Sequence, residues 1–300
     1  MSQTNFGVQN QWVAINASLI KRAGLAWVED RAPTMGAALA FYSAFALAPL
    51  LIIVIALAGT LFGSDAARDA IVRQLDGLVG GPATGAIQAL LQGAEVSRSG
   101  VLATTVGVVT MLIGATTILV ELQDDLDSIW KAPKRAGSSL ITMLRARILS
   151  LGMFLAIVFL LLVSLIVTGA MDAFAIYAES HLPAGTLFLL GLSNAVLSLG
   201  AVTVLFALLF KGLPNVAIAW KDVWLGAFIT AVLFSIGRIA IGLYLGRSAI
   251  ASAYGAAGAL VVLLLWLYYS AQVFLLGAEF TCVYAKHRAL QSSTPGNVAR

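Results

Sequence analysis

YGAAGALVVLLLWLYYSAQVFLLGAEFTCVYAK, residues 254–286, decides how the rest of the chain is read. From Ala256 onward it stays apolar for more than the ~20 residues that carry an α-helix across ~30 Å of hydrocarbon, which predicts a membrane span. The run is not uniformly apolar. Trp266, Tyr268, Tyr269, Ser270 and Gln272 lie along it, and Gly277, Ala278 and Glu279 stand near its far end. Polar and ionisable groups are costly against lipid, so these residues must face protein or a wet cavity. The helix is therefore expected to line the interior of a bundle, with the other spans as its packing partners.

Composition supports that expectation. Of 300 residues 60% are hydrophobic and 11% charged, with a mean hydropathy of +0.95, where a soluble chain carries roughly 25% charged residues. No polar segment is long enough for a separate soluble domain, which predicts one integral domain with short tails. The single cysteine, Cys282, excludes an intramolecular disulfide and a cysteine metal cluster. The N-terminus lacks the basic region followed by a short apolar core that marks a cleaved signal, so the first span is expected to be retained.

Outward from the opening stretch, six spans are expected: 37–62, 101–120, 148–170, 186–210, 223–245 and 256–285. Residues 11–30 place Trp12, Ile15, Leu19, Ile20, Trp27 and Val28 among Lys21, Arg22, Glu29 and Asp30. That pattern fits a helix on the membrane surface or a solvated helix docked on the bundle. Pro49 inside span 1 predicts a kink near 45–49, just after Tyr42. Residues 63–99 read as two short amphipathic helices, broken at Gly80, Gly81 and Pro82, at the outer surface of the bundle. Span 2 carries Gly100, Gly107 and Gly114 on one line and Ala103, Thr110 and Thr117 on the next, small faces that let helices approach closely. Its exit, with Glu121, Asp124, Asp125, Asp127, Trp130 and Lys131, reads as a solvated helical extension. Span 5 ends in Gly242 and Gly246, an expected close-packing pair.

Three blocks together resemble one known family. RAPTMGAALAFYSAFALAPLLIIVIALAG (31–59), KGLPNVAIAWKDVWLGAF (211–228) and YGAAGALVVLLLWLYYSAQVFLLGAEF (254–280) are similar, in order and spacing, to the YihY/virulence factor BrkB family of bacterial inner-membrane proteins. The resemblance covers nearly the whole chain. It implies six spans and a bacterial inner membrane, and it brings a virulence label and a ribonuclease label rather than a settled activity. The expected fold is thus all-α, a polytopic integral membrane bundle of six transmembrane helices. Residues 1–36 are expected to form a cytoplasmic N-terminal tail and interfacial helix, 37–285 the bundle, and 286–300 a cytoplasmic, disordered polar tail.

Charge predicts the orientation. With the N-terminus inside, thirteen lysines and arginines fall on inner segments, Arg68, Arg73, Arg98 and Arg247 fall outside, and Arg238 lies within a span. This positive-inside bias predicts both termini in the cytoplasm and explains the basic balance without a nucleic-acid partner. Membrane lipids are the expected partners, while a homo-oligomer and an envelope protein stay open.

The chemistry on offer is sparse. His181 and His287 fall on opposite sides of the membrane, and no phosphate-cradling loop, nucleophile elbow or histidine-rich metal motif appears. No cofactor, no metal and no enzyme activity is expected, and the ribonuclease label is rejected. Depth counting from the outer ends puts Thr110, Asn194 and Arg238 at ~12–14 Å, where they could form a polar site for an anionic headgroup. Tyr42, Tyr268, Tyr269 and Gln272 extend that candidate substrate site. Glu279 lies too deep to meet Arg238, roughly 15 Å away along the normal, and is expected beside Glu121, Lys211 or Lys286 as a proton-coupling group or ion pair. The resulting expectation is a transporter or translocator of an amphiphile such as a phospholipid or glycolipid precursor. A structural adaptor of the envelope and a passive channel are the alternatives.

Overall fold

The computed structural model describes residues 18–79, 81–96, 117–133, 184–247 and 258–293, and every regular element among them is helical. In chain order these are α1 (18–29), α2 (Ala32–Phe62), α3 (Ser64–Val79), α4 (Gly81–Val96), α5 (117–129), α6 (Ala184–Gly212), α7 (Trp220–Arg247) and α8 (Gly258–Ser293). Within them, Ala195–Gly212, Trp220–Leu245 and Gly258–Gln291 are long and apolar enough to cross a membrane, which fits the fourth, fifth and sixth expected spans. At 31 residues α2 has the length for the first, ~46 Å by helical rise. Expected span 3 and all but the last residues of span 2 lie outside the described residues.

Local chemistry sets the boundaries. Two residues, Asp30 and the left-handed Arg31 at φ 57°, separate α1 from α2, and Pro33 occupies the first turn of α2, where a missing N–H leaves no intrahelical bond unmade. At the far end Gly63, φ 84°, caps α2 with an N–H donated to the Gly59 carbonyl. The helix runs on across Pro49; the side chains of 48–50 lie outside those described. Helices α3 and α4 have 16 residues each, too few to span, as expected. They are more than a surface cap, because Ala83, Ala86, Ile87 and Leu91 of α4 are buried against α2, α7 and α8.

Helices α7 and α8 are antiparallel and locked by a reciprocal contact. Each carries the pattern Gly-Ala-x-x-Thr, at 226–230 and at 277–281. A Cβ placed on Gly226 would stand 1.8 Å from the Thr281 hydroxyl, and one on Gly277 would stand 2.0 Å from the Thr230 hydroxyl. Each threonine seats on the other helix's glycine while donating its hydroxyl hydrogen to its own helix, Thr230 to Gly226 O and Thr281 to Gly277 O, both at 2.7 Å. The hydroxyls are thereby satisfied without a lipid or water partner, and the backbones close up on small residues. One more contact keeps the same register: the Tyr269 hydroxyl lies over Gly237. Among the described residues a Cβ on Gly242 would meet nothing within 4 Å, while the surroundings of position 246, expected span 3 and most of span 2 lie outside those described. The glycines of α7 that pack against α8 are Gly226 and Gly237.

Two cores result. One joins the start of α2 to α5, α6, α7 and the later half of α8 through Leu126, Ile129, Phe210, Val223 and Leu275; charged residues crowd this end. The other joins the later half of α2 to α3, α4, the end of α7 and the start of α8 through Leu51, Ile71, Leu91 and Leu263.

Candidate functional site

The charged end is assembled from segments far apart in sequence. At the close of α5, the Lys131 N–H donates to Ser128 O and the Ala132 N–H to Asp127 O, the Schellman arrangement that normally places glycine in the left-handed position. Lys131 occupies that position, with φ 50°, which turns its ammonium back across the bundle. There it donates to the Asp30 carboxylate, which precedes the other left-handed residue, Arg31. Two non-glycine residues in the left-handed region, each costing about 1–2 kcal/mol, flank one ion pair.

Around that pair the polar ties continue. Asp127 accepts from the Asn215 backbone N–H at 2.7 Å and from its side-chain amide, holding the loop between α6 and α7. Lys211 donates to the Ile218 carbonyl and lies 5.7 Å over the Trp220 ring. Arg288 of α8 donates to Asp222 of α7 at 2.7 Å. Glu279 is 1% exposed, its neighbours in charge are Asp30, Lys131 and Lys286, and one of its carboxylate oxygens has no hydrogen-bond partner among the described residues. The Cys282 thiol, one turn on, lies 3.5 Å from the Ile129 carbonyl.

Glu279 therefore meets Lys286, as one of its expected neighbours, but not Lys211, which is committed to Ile218 and Trp220. Its carboxylate companion is Asp30 rather than Glu121. Glu121 belongs to a neighbouring acidic group on α5, where Asp125 is pushed up to about 7 by burial first and then by Glu121 and Asp124. The exit of α5 is thus packed rather than solvated: Asp125 is 5% exposed, and Leu126 and Ile129 are buried beside it. Helical periodicity offered a signal, since Leu122, Leu126 and Ile129 share one face with Asp125 at its edge.

Higher in the bundle the other candidates are separated. Arg238 is half-buried on α7 and has no hydrogen bond or ion pair with any described residue. It follows Gly237, so the Tyr269 hydroxyl stands at its level. Ten residues of α8 separate Tyr269 from Glu279, ~15 Å by helical rise, which keeps Arg238 and Glu279 apart as the depth count expects. Gln272 instead reaches α2: its amide nitrogen is 3.5 Å from the Ala32 and Pro33 carbonyls and packs against Gly36, while its carbonyl oxygen is buried without a described partner. Tyr42 and Tyr268 are half-buried, Tyr42 edge-on to Phe41 at 5.8 Å. Thr110 lies outside the described residues, and so does the side chain of Asn194. Among the described residues no group of three His, Cys, Asp or Glu is placed to hold a metal ion.

Comparison with known proteins identifies relatives along most of the chain. A family model described as Virulence factor BrkB matches residues 25–300. A UPF0761 membrane protein of Ralstonia nicotianae is 28% identical over 267 residues, 88% of this chain and 57% of that protein. A UPF0761 membrane protein of Tolumonas auensis is 30% identical over 201 residues, 64% of this chain and 62% of that protein. One from Azotobacter vinelandii is 27% identical over 262 residues, 85% of this chain and 60% of that protein. The chain thus spans about three-fifths of the length of these curated relatives. No solved structure matches it.

Proposed function

The chain belongs to the virulence factor BrkB family of membrane proteins, and on that premise we propose that it is a non-enzymatic transporter or translocator of an amphiphilic envelope component. The observation that carries this reading is Glu279. An ionisable group 1% exposed in a membrane-crossing helix is a functional element by default, because a purely structural position would be filled more cheaply by an apolar residue. Its companion carboxylate and two flanking ammonium groups come from three segments whose relative movement would change its charge balance. That is the arrangement a proton-coupled step requires. Arg238, half-buried and without a described carboxylate partner, suits the anionic headgroup of the cargo, with the Tyr269 hydroxyl at the same level.

The setting is the bacterial inner membrane with the charged end toward the cytoplasm, in line with the distribution of lysine and arginine. The test is reconstitution in proteoliposomes with fluorescent phosphatidylglycerol, following its flip between leaflets with and without a proton gradient. Wild type is expected to accelerate movement, Glu279→Gln to remove the gradient dependence, and Arg238→Ala to lower the rate under both conditions. No movement under any gradient would sink the translocator and leave an envelope adaptor in its place.

A further inference from the structure

Helix α1 is half committed. Leu19 and Ala23 are 3% and 1% exposed, and Trp27 packs on the charged-end core. On its other side Ile20, Leu25 and Val28 are 64%, 53% and 62% exposed. At 3.6 residues per turn these three cover an arc of roughly 140°, with exposed Lys21 inside the arc and exposed Arg22 and Glu29 at its margin. The helix is not free to roll this stripe inward. Its end is held by the single left-handed residue Arg31 and by the Asp30–Lys131 pair.

What covers the stripe follows from where α1 is anchored. It joins α2 through Asp30 and Arg31 alone, and α2, long enough for the first span, exposes Phe41 and Phe45, 54% and 65%. An apolar arc this wide, continuous with a lipid-facing helix, fits the acyl-headgroup boundary of the bilayer rather than water. Lysine within such an arc buries its stem and raises its ammonium to the phosphates. With Arg22 and Arg31 also exposed, the local charge complements an anionic surface.

We infer that α1 lies in the plane of the bilayer at the charged end, with Ile20, Leu25 and Val28 among the acyl chains and Lys21 and Arg22 on anionic lipid headgroups. Through Asp30, which closes α1 and stands beside Glu279, the lipid surface then bears directly on the buried carboxylate. This placement does not depend on transport, and its test reads position alone.

The full chain would be placed in nanodiscs of phosphatidylcholine, with or without phosphatidylglycerol, after nitroxide labelling of Ile20→Cys, Leu25→Cys or Val28→Cys; native Cys282 is buried. All three positions are exposed, so the substitutions leave the core intact. Oxygen is expected to reach the labels and a water-soluble nickel chelate to be excluded, the reverse of Lys221→Cys on the exposed start of α7. Phosphatidylglycerol is expected to favour the immersed population, and Lys21→Gln with Arg22→Gln to lower that preference by about 30-fold. Access of the nickel chelate to all three labels would overturn the inference, because the stripe would then face water. Exclusion of both reagents would overturn it too, by showing protein in place of lipid. Immersion indifferent to lipid charge would overturn the headgroup assignment.

Discussion

The two ends of the bundle solve the same packing problem by different means. At the apolar end, α2, α3, α4, α7 and α8 meet through small and branched side chains, with Ala44, Ala58, Ala67, Ala83 and Ala86 letting backbones approach and Leu51, Leu91 and Leu263 filling the space. At the charged end a comparable apolar core is overlaid by Asp30–Lys131, Asp127–Asn215 and Asp222–Arg288, with Glu279 and Asp125 buried among them. Lipid supplies no hydrophobic force between helices, so at the apolar end close packing carries the contact between α2, α7 and α8. The charged end adds groups whose interactions depend on pH and salt. The apolar end therefore reads as scaffold, and the charged end as the part whose state can be changed.

The hardest break of that contrast is a cavity at the scaffold end. Leu263 is fully buried, and Leu263→Ala is expected to cost about 2–5 kcal/mol of stability. Thermal unfolding in detergent, followed by circular dichroism, should give the same loss at pH 5.5 and pH 8 and at low and high salt. A loss that varied with pH would erase the distinction between the ends.

Next in size is the reciprocal contact that locks α7 to α8 within the charged-end core. Gly277→Leu drives a side chain into Thr230 and should cost about 1–3 kcal/mol by overpacking. Thr230→Gly, which opens the facing site, should recover part of it in a double-mutant cycle, because the two residues share one contact. Additive losses would mean that the helices do not meet there.

Much of this could be seen in the sequence, and the limit has a physical cause. Long apolar runs declare α6, α7 and α8 because spanning hydrocarbon is a requirement of length and composition, both local properties. Gly-Ala-x-x-Thr occurs twice, at 226 and 277, yet only the antiparallel register shows that each threonine lands on the other's glycine. Gly242 is equally suited to packing by sequence, yet a Cβ there meets no described residue, and nothing within a single helix tells the two apart. The same holds for charge. Lysine and arginine counts predict a side of the membrane, but they do not pair Lys131 with Asp30, which takes two left-handed residues at helix ends. Glu279 stood out as an intramembrane acid; its companion, 249 positions earlier in the chain, could not.

Asp125 sharpens the comparison through pH. Its folded pKa of about 7 lies above the ordinary carboxylate value, with burial the largest cause, so the folded protein holds a proton that the unfolded chain releases near pH 4. Stability on this account is fully present below that value and is lost as pH rises through about 7. Asp125→Asn should therefore be close to neutral at pH 4 and stabilising at pH 8, by at least about 1 kcal/mol. A melting temperature that falls on substitution at pH 8 would show that the carboxylate is paired rather than merely buried.

The smallest effect is the most discriminating, because two terms of similar size oppose each other at Lys131. Its ammonium pairs with Asp30, but its own side chain is 60% exposed, and a pair this open contributes about 0.2–1 kcal/mol and weakens with salt. Its backbone sits in the left-handed region at φ 50°, where any residue but glycine costs about 1–2 kcal/mol. Lys131→Ala loses the pair and keeps the strain, so stability should fall by about 0.5 kcal/mol, and high salt should remove the difference. Lys131→Gly loses the same pair and relieves the strain, so it should be neutral or slightly stabilising in the same unfolding experiment. Both variants leave Asp30 and Glu279 facing each other with one cation fewer, and on the proposed translocator reading both should disturb gradient-dependent transport alike. If glycine restored stability and transport together, Lys131 would be only a helix cap. If it restored stability alone, the strained backbone is kept for the position of its charge.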